Sequence, residues 1–514
     1  MRRPFILLLT LLTIGGATQG NPVRAAVGAL PRHNIASAEL PKPVAVPRDF
    51  EHWPSIFQGR LAALPRLAEP TAPTAVDTTR RAAMGTQLVQ ISDRIGKAAQ
   101  VGVHVRDLQS GASLLDEQGD RALNPASNHK LLTSIAALEL LGPDYRFETR
   151  VMLDGDDLVI VGASDPSLQS EHLAQLAQAV KDGMDLGNIR RIVIDDTMFG
   201  PERFAPGYDA DGPGFSYLAP SGALSVQWNT IEITAVPEQG AVKVFVDPPC
   251  AHVRVLNDAS VARRSALQVE TTADGDDTLV TVHGKVGRKA GVETIRRRVA
   301  DPGRFAASVF AAALGPELAD LPIVRGRASA EAITIAEHHS APLLEVLHSA
   351  LKFSNNFTTE QVLRTLGHRM TGMPGSWDNG TAAVRRFWGA IGGDDAALVF
   401  ENASGYSRRG RFSARGLVDL LAWSLRTGSR SAGLVGALAV SGTDGTLRDR
   451  LQDVPGRVFA KTGTLAGASA LSGIVVDSAG APSIAFSVLV NGPVTGHAAH
   501  ALQDRVVRML LEHA

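Results

Sequence analysis

Cysteine is all but missing from this sequence: Cys250 is the only one in 514 residues. No intrachain disulfide, four-cysteine zinc site or Cys-x-x-Cys redox pair can be built from it, so the fold must stand on packing alone. A surplus of either charge is missing too, since Lys+Arg number 51, Asp+Glu 52, and the formal net charge is -1. With no global positive field to hold polyanions, a nucleic-acid partner is not expected. Several common catalytic signatures are absent: G-x-S-x-G, H-E-x-x-H, G-x-G-x-x-G and the P-loop, because Ala460 and not glycine precedes Lys461. What is present is a hydrophobic content of 44%. That is ample for buried cores in a chain of roughly three domains at about 150 residues each.

Residues 1–20 run from Arg2-Arg3 through an apolar stretch at 5–14 to small residues at 15–20, the order of a secretory signal peptide. The apolar stretch of about ten residues, at ~1.5 Å each, cannot cross a hydrocarbon core ~30 Å thick. No cysteine follows it, so a lipoprotein anchor is excluded. Export across the inner membrane to a periplasm is expected, with no integral membrane anchor once the signal is removed. Residues 22–73 hold nine of the 28 prolines, a density that argues against regular helix or central strand. Residues 21–85 are therefore read as a Pro-rich arm or linker, with Phe50, Trp53 and Phe57 as the means by which it would dock if it docks.

Period-two alternation at 101–105, turn residues Gln109-Ser110-Gly111 and a second extended stretch at 113–115 predict a strand pair. A helix is predicted from Pro125-Ala126-Ser127, with the stripe Leu131, Leu132, Ile135, Leu138 and Leu141, ended by Gly142-Pro143. Short strands parted by Asp/Gly turns follow at 158–161, 192–194, 242–246 and 279–282. Helical spacing returns at Leu343, Leu344, Val346, Leu347 and Leu351, then strands at 457–461, 469–476 and 483–490, and an amphipathic helix at 497–511. The early and late strands need one another to make an antiparallel sheet. Residues 86–150 and 330–514 are thus expected to form one split catalytic domain, with a β-rich unit inserted at 151–329.

Ser127-Asn128-His129-Lys130 is a Ser-x-x-Lys at a helix start. There the two side chains lie one turn apart, and the helix N-terminus favours negative charge developing at the serine. This is the arrangement a serine nucleophile with a lysine base requires. A second copy, Ser349-Ala350-Leu351-Lys352, begins mid-helix and reads as a helix face with a solvated lysine. Ser354-Asn355-Asn356 follows a helical run, and Lys461-Thr462-Gly463-Thr464 ends a strand.

The order Ser-x-x-Lys, Ser-x-Asn, Lys-Thr-Gly resembles penicillin-binding proteins and serine β-lactamases. Further stretches narrow the resemblance: Pro125 to Thr133, Gly162-x-x-Asp165-Pro166-Ser167-Leu168, Asp195-Asp196-x-x-Phe199, Ala223-Leu224-Ser225-Val226 with Asn229, and Gly442-Thr-Asp-Gly445-Thr446-Leu447. Together they are similar to the D-alanyl-D-alanine carboxypeptidase/endopeptidase family, the class C low-molecular-mass penicillin-binding proteins. Ser354 lies 227 residues beyond Ser127, and that family carries inserts between these motifs. The resemblance implies an α+β, penicillin-binding protein/β-lactamase-like transpeptidase fold, an antiparallel sheet flanked by helices with an inserted β-rich domain. It implies a serine hydrolase acting on peptidoglycan stem peptides that end in D-Ala-D-Ala, with β-lactam antibiotics as covalent inhibitors and neither cofactor nor metal.

By the same resemblance Ser127 is the nucleophile and Lys130 its base, made neutral by desolvation and by the like charge of Lys461. Ser354 relays a proton and Asn356 holds substrate and Lys130. Lys461 meets the substrate carboxylate beside Thr462 and Thr464, Gly463 gives close backbone approach, and the N–H groups of Ser127 and Thr464 form the oxyanion hole. Carboxypeptidase against endopeptidase stays open, as do a β-lactamase or esterase on the same scaffold and a non-catalytic wall-binding module. Asn355 replaces a common Asp, and Asn402-Ala403-Ser404-Gly405-Tyr406-Ser407-Arg408 departs from Asp-Gly-Ser-Gly-Leu-Ser-Arg at its first, second and fifth positions. His129 is expected to be solvated, Cys250 to be a lone thiol without function, and Arg296-Arg297-Arg298 to be a solvated face.

Overall fold

The structure is a computed structural model that describes residues 54–69, 71–92 and 98–513. The signal-peptide reading, Phe50, Trp53 and the side chain of Phe57 lie outside the described residues.

A six-stranded sheet organises the molecule. Its strands are β1 (Gln100–Asp107), β2 (Ser113–Glu117), β3 (Ala439–Val440), β4 (Val458–Leu465), β5 (Ala468–Val476) and β6 (Pro482–Asn491). They lie in the order β3-β4-β5-β6-β1-β2, and every pairing is antiparallel. The first strand therefore sits beside the last, with Val103 opposite Val488 and Val105 opposite Phe486. All nine residues of β5 are buried, because both faces of the sheet are covered; its two serines find partners there, Ser472 in Ser487 and Ser469 in Gln503.

Helices supply the two covers. Helices α1 (Ser55–Ala62) and α2 (Ala75–Ser92) precede β1; on one face α2 packs Met84 and Leu88 with Val103, Val105, Leu471, Phe486 and the last helix. On the other face lie α3 (His129–Leu140), α4 (Leu343–Lys352), α5 (Asn356–Thr371) and α6 (Ala414–Ser424), sharing a core with Ala470, Ile474, Ala485 and Leu489. Helix α7 (Gly496–Leu511) returns to the first face through Leu502 and Val506. Every residue of α3 is buried, so this helix is a central pillar with no solvated side.

Helix α1 corrects the reading that the proline density excludes helix. Pro54 caps it and Pro65 follows it, and prolines at helix ends remove only N–H groups that have no partner inside the helix. The segment docks through Leu61, Leu64 and Leu67. The Trp423 indole donates to the Pro65 carbonyl at 2.8 Å.

Between α3 and α4 the chain builds two further sheets. A five-stranded one is ordered Ile323–Arg325, Arg191–Asp195, Asp157–Gly162, Glu148–Asp154, Ile333–His339; a seven-stranded one uses residues 230–298. Because Ile333–His339 pairs with Glu148–Asp154, this region starts and ends outside the 151–329 bounds read from the sequence. It also holds helices Ser170–Gly183 and Pro302–Leu314, and the two sheets share a separate core.

The Arg296-Arg297-Arg298 triplet is not simply a solvated face. Arg296 is exposed beside Glu232, but Arg298 is only 5% exposed. Its guanidinium donates to the carbonyls of Asp209 (2.8 Å), Leu218 (3.1 Å), Gly212 (3.4 Å) and Ala210, and lies over Phe204. The loop at 204–218 folds across the strand end without ladder partners for these carbonyls, and one fork of N–H donors satisfies them.

Candidate active site

Ser127 sits in a 3-10 turn, Ala126–Asn128, that leads into α3. Ala126 has φ +46, a left-handed conformation that alanine holds only when its surroundings fix it. They do so here. The Asn124 side chain accepts from the Ala126 N–H at 2.8 Å and donates to the Ser407 carbonyl at 2.8 Å, while Asn491 accepts from the Asn124 N–H at 2.7 Å. Two glycines let the neighbouring chain close on this turn: a Cβ at Gly405 would lie 1.9 Å from the Ala126 carbonyl oxygen, and one at Gly463 would lie 2.7 Å from that of Pro125. Gly405 also has φ +74. Gly405→Ala is expected to cost at least about 2–3 kcal/mol, as a left-handed non-glycine residue plus a backbone clash. The melting temperature should fall, as followed by circular dichroism.

Lys130, one turn beyond Ser127, is fully buried. Its Nζ lies 2.9 Å from Ser127 Oγ, 2.7 Å from Asn356 Oδ1 and 2.7 Å from the Ser404 carbonyl oxygen. The last two groups only accept. In the neutral amine they take its two N–H bonds, which leaves the lone pair facing the Ser127 hydroxyl. Burial pushes the Lys130 pKa well below its usual range, the nearby Lys461 charge pushes it further down, and Glu360 opposes both. The amine is thus placed to take a proton from Ser127, and burial favours its neutral form.

Lys461 is also fully buried, and burial takes its pKa down to about 7. Its Nζ donates to the Thr462 carbonyl at 2.8 Å. The Asn128 amide ties its strand to the Ser127 turn by bridging Ser472 Oγ (2.7 Å) and the Lys461 carbonyl (2.9 Å). Thr462 donates to Thr446 at 2.8 Å, so Gly445-Thr446-Leu447 backs the same strand. Gly463 is buried against Ser127, and Thr464 is exposed at the strand end.

Ser354 occupies the turn between α4 and α5 at φ +60. Its hydroxyl hydrogen-bonds to neither Ser127 nor Lys130 among the described residues; Asn356 makes that reach, and its Nδ2 donates to the Tyr217 carbonyl at 2.9 Å. Asn355 accepts from the Thr358 N–H at 3.2 Å and caps α5, a task Asn and Asp perform equally. Asn402 accepts from the Gly405 N–H at 2.9 Å and donates to the carbonyls of Pro206 (2.8 Å) and Tyr406 (3.1 Å). An aspartate could not make the last two bonds, so this departure fits its own surroundings.

The second Ser-x-x-Lys is structural, though its lysine is not free in solvent: Lys352 pairs with Asp444 at 2.5 Å. His129 is buried, not solvated. It packs on Phe400 and Phe412, meets the Arg411 carbonyl at 3.2 Å, and is driven down to about 4 by burial, hence neutral. Cys250 is pushed up to about 11 by burial, which leaves it an unreactive thiol. Among the described residues no group of three or more His, Cys, Asp or Glu side chains converges to hold a metal ion.

Sequence reasoning missed Glu360 and Tyr208, which stand behind Ser404. The available signal was Glu360 itself, an acidic residue one turn past Asn356 on a helix whose residues 357–367 are all buried.

Residues 87–513 match the D-Ala-D-Ala carboxypeptidase 3 (S13) family. A D-alanyl-D-alanine carboxypeptidase of an Actinomadura sp. is 32% identical over 456 residues, covering 82% of this chain and 83% of the relative. The crystal structure of penicillin binding protein 4 (dacB) from Haemophilus influenzae aligns with a TM-score of 0.71 at 20% identity, covering 82% of this chain and 99% of that one. Its complex with a novel β-lactam aligns at 0.67 and 19% identity, with the same coverage of 82% and 99%. At that identity these structures speak for the fold, which is the α+β architecture described above.

Proposed function

Because the chain belongs to the D-Ala-D-Ala carboxypeptidase 3 (S13) family, we propose that Ser127 is the nucleophile of a serine-type D-Ala-D-Ala carboxypeptidase acting on peptidoglycan stem peptides in the periplasm. The observation that carries this is the Lys130 amine, 2.9 Å from Ser127 Oγ and facing only acceptors on its other two contacts. Ser127 Oγ attacks the carbonyl of the penultimate D-Ala while Lys130 takes its proton. The oxyanion falls between the N–H groups of Ser127 and Thr464, a contribution of about 10²- to 10³-fold. The tetrahedral intermediate then expels the terminal D-Ala, whose amine receives the proton that Lys130 took from Ser127, passed on by way of the Ser354 hydroxyl once substrate bridges the two, and water hydrolyses the acyl-enzyme. Lys461 as an ammonium, with Thr462 and Thr464, holds the substrate's terminal carboxylate.

Penicillin follows the same path as far as the acyl-enzyme. In the peptide acyl-enzyme the departed D-Ala leaves room for water, whereas the opened β-lactam keeps its leaving amine attached, so fast hydrolysis of that adduct would need a further carboxylate free to activate water. Glu360, the buried carboxylate behind Ser404, already accepts three N–H bonds, which favours a long-lived adduct over β-lactamase turnover. Wild-type protein incubated with penicillin is expected to gain one adduct by intact mass, located on the Ser127 peptide, and to release D-Ala from a pentapeptide. No adduct would refute the assignment of Ser127, and rapid antibiotic turnover would make the protein a β-lactamase.

A further inference from the structure

We propose that Glu360 is a positioning residue for the general base, acting on Lys130 through the Ser404 carbonyl. Glu360 is 2% exposed and lies one turn of α5 beyond Asn356. Its Oε1 accepts from the Ser404 N–H at 2.9 Å; its Oε2 accepts from the Ala403 N–H at 3.2 Å and from the Trp377 indole N–H at 2.8 Å. The carboxylate thus grips two consecutive amides of the segment whose next carbonyl takes a hydrogen bond from Lys130 at 2.7 Å. That carbonyl and Asn356 Oδ1 are the two acceptors that turn the amine's lone pair toward Ser127. One turn of one helix therefore aims the base twice, directly from Asn356 and through the backbone from Glu360.

The carboxylate suits no other task in the site. Three N–H donors and the Tyr208 hydroxyl surround it, and burying a carboxylate without such donors would cost several kcal/mol. Tyr208, half-buried with its hydroxyl 3.2 Å from Ser404 Oγ, has its pKa raised by burial and by Glu360, so it adds no competing charge. An uncharged amide cannot substitute. In Glu360→Gln one oxygen can serve Ser404, but the NH2 then meets the Ala403 and Trp377 donors head on. In Glu360→Asp the charge remains, but the shorter arm cannot reach both amides.

The inference rests on Lys130 being the base of Ser127, and the test separates the two. Acylation by penicillin is followed by intact mass in wild type, E360Q and E360D, with active sites titrated in each preparation. For E360Q the acylation rate per titratable site is expected to fall about tenfold or more, a misaimed base costing that much. For D-Ala release, kcat is expected to fall with KM unchanged, because Glu360 touches no substrate. The acid limb of the rate is expected to move to lower pH, because the lost negative charge no longer stabilises the Lys130 ammonium. E360D should be slow as well but keep the wild-type acid limb. A purely structural Glu360 would lower the titratable fraction alone, so a wild-type rate per site or an unmoved acid limb in E360Q overturns the proposal. If E360Q yields no folded protein, E360D decides by its rate, and a wild-type rate overturns it. Failure of the wild type itself to be acylated at Ser127 would refute the proposed function instead.

Discussion

Lys130→Met is expected to lower the rate of acylation by penicillin by about 10³-fold or more while leaving a folded protein. A positioned general base contributes about 10²- to 10⁴-fold, and without one the Ser127 hydroxyl attacks as a neutral alcohol. The upper part of that range applies because burial favours the neutral amine and its hydrogen bonds aim it. Burial holds its pKa well down, and Asn356 and Ser404 fix its two N–H bonds. Methionine has nearly the length of lysine and fills the same buried slot. It leaves those two acceptors unpaired, at about 1–3 kcal/mol each, but it also removes the need to bury an amine. Circular dichroism and the melting temperature should therefore stay near wild type. Stopped-flow or mass-based acylation kinetics check the rate, and a variant within tenfold of wild type would remove Lys130 from the mechanism.

Lys461→Met is expected to lower kcat/KM for D-Ala release by about 10²-fold, the worth of one desolvated charge-assisted contact to a carboxylate. The pH dependence gives a sharper reading. With a pKa of about 7 in the free protein, Lys461 loses its proton as pH rises, so kcat/KM should decline above about 7. A bound carboxylate stabilises the ammonium and raises that pKa, so kcat should hold to higher pH than kcat/KM. Acid reverses the roles: lowering the pH leaves Lys461 charged and stops the reaction only when Lys130 is protonated. In the Lys461→Met variant the alkaline limb of kcat/KM should vanish along with most of the rate. Pentapeptide hydrolysis measured from pH 5 to 10 tests this, and an alkaline limb that survives the substitution would assign it to another group.

The site and fold differ in how far the sequence alone carries them. Ser127, Lys130, Ser354, Asn356 and Lys461 stand in short motifs whose order along the chain resembles a known family, so they are visible without a structure, although the spacing alone would also have picked Ser349 and Lys352. The antiparallel sheet is visible for a similar reason, since short turns and apolar alternation are local. What escaped depends on distant segments. His129 is buried because Phe400 and Phe412 arrive on either side of it. Arg298 is buried because a loop 80–90 residues earlier needs donors for its carbonyls. Glu360 resembles an ordinary helix acid until the 403–404 amides come to meet it. Helix α1 escaped for a different reason: a proline count ignores that Pro54 and Pro65 flank the helix without entering it.

The adjacency of β1 and β6 fixes the order in which this protein can become an enzyme. The sheet beneath Ser127 needs β4, β5 and β6, and these are contributed by residues 458–491. During synthesis the nucleophile, its lysine and the whole of α3 emerge more than 300 residues before that floor exists. The two-sheet region at 148–339 has its own core and all its strand partners within its own span, so it can fold first, as an early unit. The chain ends must then find each other across that finished body, a slow closure of long contact order. Acylation activity should therefore be the last property to appear on refolding, after most of the secondary structure has formed.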